Sequence, residues 1–63
     1  SDLRWLWITD EKFVATVDLN ENDTVIETPP QLSQFKNKHR SILEFYLKGE
    51  FPNIVIQEKE FKL

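Results

Sequence analysis

The chain has 63 residues, with 8 Lys or Arg against 11 Asp or Glu, for a net charge of −3. A chain this short makes one domain, residues 1–63, that buries only about 60% of its unfolded surface, which leaves no room for a deep catalytic cleft and puts stability on tight packing or self-association. The acidic balance gives no general attraction to nucleic acid or anionic membrane.

No cysteine is present, which removes disulfides and thiolate zinc sites together and fits a reducing compartment. No apolar run approaches the roughly 18 residues of a membrane span, and nothing resembles a signal peptide. A cytoplasmic location is therefore expected, without membrane contact. The chain opens on Ser1-Asp2 rather than Met, which fits a processed start or the remnant of something longer.

Leu3 to Thr28 reads as three short strands. Arg4 to Thr9, Lys12 to Leu19 and Thr24 to Thr28 are rich in Val, Ile, Thr, Phe and Trp, which suit a pleated, half-buried surface. Between them lie the polar clusters Asp10-Glu11 and Asn20-Glu21-Asn22-Asp23. Neither contains glycine, so four-residue loops are expected rather than tight primed turns. Even loops that pair Ile8 with Phe13 and Leu19 with Thr24 send Leu6, Ile8, Phe13, Ala15, Val17, Leu19 and Ile26 to one face. Leu3, Trp5, Trp7, Val14, Thr16, Asp18, Val25 and Glu27 then take the other. Because the side-chain period is two, a one-residue slip exchanges the sets strand by strand.

After Thr28 the period becomes helical. Thr28-Pro29-Pro30-Gln31 fits a capping box, with Thr28 as N-cap and Pro29 at the first helical position. Leu32 and Phe35 supply apolar contacts, and Asn37 suits a left-handed stop. Ser41-Ile42-Leu43-Glu44 offers a second capping box, or one helix runs through from residue 38. His39, Ile42, Leu43, Tyr46 and Leu47 line one face of it, and Phe45 widens that face beyond what one flat contact requires, as in a helix clamped on two sides or shared with another chain. Lys48-Gly49 reads as a basic last turn with a glycine stop, and Pro52 prevents resumption. Ile54-Val55-Ile56 begins a fourth strand, with Phe61 and Leu63 on the side of Val55.

The expected fold is thus α+β: a three-stranded antiparallel meander, one or two short helices on one face, and a fourth edge strand, preferably beside the first, where it shields the longer edge. Only one sheet face is then covered. On the other, Leu3, Trp5, Trp7, Val14 and Val25 form an apolar patch of the kind that marks an association surface, for a protein partner or a second copy. Two alternatives stand beside this. A structural domain of a larger protein would fold the tail with Phe61 and Leu63 over the tryptophans as a lid. A single-strand nucleic-acid platform would stack bases on Trp5 and Trp7 with Arg4 and Lys12 near the phosphates, against the repulsion of Asp10, Glu11, Asp18 and Glu27.

The positive charges cluster in Lys36-Asn37-Lys38-His39-Arg40. Lys36, Lys38, His39 and Arg40 could contact an anion at a helix start, or form a solvated corner between helices. Asp18, Glu21, Asp23 and Glu27 make an opposite patch, and the two could steer a partner or align copies head to tail. An enzyme is not expected. One histidine and no cysteine leave a metal site only carboxylates to add, and Ser33 or Ser41 beside His39 has no separate oxyanion donors or pocket. Asp10-Glu11 and Glu58 with Glu60 lack an apolar wall to raise a carboxyl pKa, and one glycine makes no phosphate loop. No cofactor or small-molecule substrate follows from any of these.

The run Trp7-Ile8-Thr9, Phe13-Val14-Ala15, then Val25-Ile26-Glu27-Thr28-Pro29-Pro30 followed by Leu32, Phe35 and Lys38, resembles small uncharacterised proteins encoded by bacteriophages and prophages. There an order W-x-(V/I)-T, F-x-A, V, P-(I/L)-x-x-(F/W)-x-G-K recurs. Asn37 stands where that order has Gly, in keeping with a left-handed corner, while Trp7-Ile8-Thr9 is one residue shorter than the first element and Gln31 separates Pro30 from Leu32. The resemblance implies an intracellular viral or prophage accessory protein and carries no activity over to any residue.

Overall fold

A computed structural model describes residues 3–62. The fold is α+β, a four-stranded antiparallel sheet with one α-helix, in the strand order β3-β2-β1-β4. The strands are β1 (Leu3–Asp10), β2 (Phe13–Leu19), β3 (Val25–Glu27) and β4 (Val55–Phe61), and the helix α1 (Arg40–Glu50) enters between β3 and β4. Among the described residues no helix is long and apolar enough to cross a membrane.

The alternation along β1 and β2 sorts side chains as the sequence implies, with Leu6, Ile8, Ala15, Val17 and Leu19 buried on an inner face. The pairing differs from the expected one. Ile8 stands opposite Ala15 and Asp10 opposite Phe13, so Glu11-Lys12 is a two-residue turn. Neither residue has positive φ, and the Asp10 carboxylate accepts from the Lys12 N–H at 3.3 Å. The displacement is two residues, which returns every side chain to its expected face.

At β3 the parity breaks. Five residues, 20 to 24, separate Leu19 from its partner Val25. The loop closes on the Asn20 side chain, whose Oδ1 accepts from the N–H groups of Asn22 and Thr24 at 2.9 and 3.0 Å. Asp23 takes the left-handed φ of 62°, which Asp tolerates. An odd loop turns Val25 inward, where it is fully buried, and leaves Ile26 exposed as the extra residue of a bulge before Glu27 meets Asp18. Val25 therefore belongs to the core and not to the outer patch, and Ile26 is not a core residue.

The Pro30–Phe35 segment is a 3₁₀ helix that follows Pro29, with Pro30 at its start and no side-chain cap, so Thr28 and Gln31 do not form a capping box. It buries Leu32 and Phe35. Asn37 then turns the chain with φ 71°. Residues 37–40 return beside the β3 edge, where the Val25 N–H donates to Lys38 O at 2.8 Å and the Asn37 N–H to Val25 O at 2.7 Å. The Arg40 N–H donates to Asp23 O at 2.8 Å, which covers this edge of the sheet.

The N-cap of α1 is His39, not Ser41: its Nδ1 accepts from the Ser41 N–H at 3.1 Å. Leu43 and Leu47, one turn apart, are fully buried against the sheet, each adding about 1.5–3 kcal/mol of apolar burial. Ile42 and Tyr46, expected to dock, are exposed, although Tyr46 packs on Phe35 with ring centroids 5.0 Å apart. Gly49 is not a stop. The helix runs through it to Glu50 with no positive φ, and Pro52 ends it.

Candidate protein-binding face

The sheet has an inner face sealed by α1 and the 3₁₀ segment, and an outer face that no element of the described residues covers. Strand pairing sets the outer face in rows. Val14, Thr9 and Val55 form one; Thr16, Trp7 and Gln57 the next; Glu27, Asp18, Trp5 and Lys59 the third; Leu3 and Phe61 the last. Trp7 is 45% exposed and Val14 71%, and Leu3, Val55 and Phe61 are exposed as well. Trp5 is half-buried. The Lys59 ammonium lies over the Trp7 ring, 5.2 Å from its centroid.

Of the five residues read from sequence as a patch, Leu3, Trp5, Trp7 and Val14 share this face, while Val25 has left it. The face gains Val55, Lys59 and Phe61, which the sequence reading did not include. The signal was the alternation of Val55 and Phe61, but it becomes spatial only when β4 pairs with β1. Phe61 stands beside Leu3 as a strand neighbour and so is not a lid over the indoles; Leu63 lies outside the described residues. Arg4, expected near the tryptophans, belongs to the inner face.

There Arg4 joins an ion-pair network. Its guanidinium bonds Asp23 at 2.6 Å and Glu58 at 3.2 Å, while Arg40 pairs with Glu58 and, at 3.0 Å, with Glu44. The cluster ties β1, the β2–β3 loop, the start of α1 and β4 together at one end of the core. The hydrogen bond from Arg4 holds the Asp23 carboxyl below the usual carboxylate range, and those from Arg40 and Arg4 do the same for Glu58. Partial burial lowers the Arg40 pKa, but bonds to Glu58 and Glu44 outweigh it and the net shift is upward.

The basic run is dispersed by this arrangement. Arg40 is held in the network, Lys36 pairs with Glu27 at 3.3 Å, and the His39 ring caps the helix. Lys38 is exposed and makes no ion pair among the described residues. The four side chains thus do not converge on one anion position. The acidic set divides likewise: Asp23 faces Arg4, whereas Asp18 and Glu27 line a shallow notch of about 260 Å³ on the outer face with Thr16, Thr28 and Pro29. Among the described residues no three metal-ligating side chains come together.

A second exposed apolar stripe runs along α1 away from the sheet, where Phe45 is 83% exposed beside Ile42. Gly49 continues it one turn on, and a Cβ there would meet nothing within 4 Å. Neither a scan against family models nor searches of curated proteins and of solved structures finds a match to this chain.

Proposed function

We propose that this chain is a non-enzymatic association module that binds protein through the outer face of its sheet. One observation carries the reading: the chain covers one face of the sheet with its own helix and leaves the other with Leu3, Trp7, Val14, Val55 and Phe61 exposed around a half-buried Trp5. Aromatic residues at the centre of a patch with charges at its border are the composition of protein interfaces. A nucleic-acid platform is less well supported, because Lys59 faces Asp18 and Glu27 across the same row and Arg4 is turned inward. An accessory role inside a host cell rests on the resemblance to phage and prophage proteins alone, and no comparison with known proteins adds to it.

The two indole N–H signals make the test direct. In ¹⁵N-labelled protein, host extract or a rise in the protein's own concentration should shift both indoles and the amides of Val14, Val55 and Phe61. Outer-face signals that stay fixed in both titrations, while other surfaces respond, would remove the reading. Oligonucleotide at low salt should leave the indoles unmoved.

A further inference from the structure

We propose that a second copy of this chain covers the outer face, related to the first by a twofold axis parallel to the strands and lying between β1 and β2. The inference rests on the outer face being a protein-binding surface and names its occupant. What selects it is the third row of that face, in which Glu27, Asp18, Trp5 and Lys59 run in order from β3 to β4. The row is acidic at one end, where Glu27 is shared with Lys36 and Asp18 makes no ion pair among the described residues, basic at the other and aromatic between. A twofold axis along the strands exchanges the ends, so the Lys59 ammonium of each copy comes over the notch formed by Asp18 and Glu27 of the other. Lys59 already projects across this face, over the Trp7 ring.

With strands about 4.8 Å apart, β1 lies close to such an axis, and Trp5 and Trp7 of both copies pack around it at the centre. Other symmetric pairings lack this match. A twofold axis across the strands lays β3 and β2 over themselves, acid near acid, and leaves Lys59 without an opposite charge. Pairing two β4 edges so that Val55 meets Phe61 sets Glu58 against Glu58, a like-charge pair that is unfavourable in a sheet. Four short strands make a face at the small end of stable interfaces, so the dimer is expected to be weak and reversible.

Sedimentation over about 10 μM to 1 mM protein tests it, together with Lys59→Glu, Asp18→Lys and the double exchange. The mass of the wild type should rise toward twice the chain mass. Each single reversal should weaken association about tenfold or more with an unchanged circular dichroism spectrum, and the double exchange should bring it back to within about threefold of the wild type. A wild type that stays monomeric over the whole range overturns the proposal, as does association indifferent to the reversals. If the monomer's indoles still respond to host extract, the protein-binding reading stands and only the second copy is lost.

Discussion

On the inner face of the sheet Leu6, Ile8 and Val17 are fully buried, whereas at outward positions of the same strands Trp7 is 45% exposed and Val14 71%. Both faces carry large apolar side chains, those of the outer face interleaved with Thr9, Thr16, Asp18, Gln57 and Lys59. What separates them is the route of the chain after β3: the 3₁₀ turn, the left-handed Asn37 and α1 all lie on the inner side, and Leu32, Phe35, Leu43 and Leu47 close that face. Among the described residues the outer face gets no second layer. A small domain spends its one helix on one side.

Removing inner-face packing should therefore produce the largest loss. Leu43→Ala or Leu6→Ala should lower unfolding free energy by about 2–5 kcal/mol, much of what a domain this size has. Urea denaturation measures it, and a loss below about 1 kcal/mol would mean that the inner face is not the core.

Next in size is the charged end of that face. Arg40→Met leaves Glu58 and Glu44 without this partner, and the thermal midpoint should fall, though less than for Leu43→Ala. Asp23 and Glu58 have lowered pKa values in the folded state, so the unfolded chain binds more protons in the carboxylate range. Their contribution is complete above about pH 4.5 and is lost as pH falls through the folded values. A midpoint-against-pH series should show this acid limb, and Arg40→Met should flatten it.

A smaller change of opposite sign tests the outside of α1. Gly49 sits within the helix, where no positive φ requires glycine, and a Cβ meets open space. Gly49→Ala should raise stability by about 0.5–1 kcal/mol, read from the same urea curves. The least effect belongs to the open face: Val14→Thr should stay within about 0.5 kcal/mol. If it costs as much as an inner-face truncation, something in the chain covers the outer face after all.

The sequence by itself determined the strand-rich first half, the buried set on β1 and β2, the inner positions Leu32 and Phe35, and the left-handed turn at Asn37. Each follows from side-chain period or from the few residue types that tolerate a given φ, properties of neighbouring residues. It also separated the tryptophans from the core, because a register error of two preserves parity.

Only the tertiary structure decided the rest. Val25 turned inward because the Asn20 side chain and Asp23 close a loop of odd length, and loop length is set by a hydrogen-bond choice that composition does not reveal. Arg40 left the basic cluster because Glu44, one turn along α1, and Glu58, on β4, come within reach only when the layers pack. The outer face gained Val55, Lys59 and Phe61 in the same way: a strand's contribution to a surface depends on which edge it joins, and that edge is chosen by residues distant in the chain.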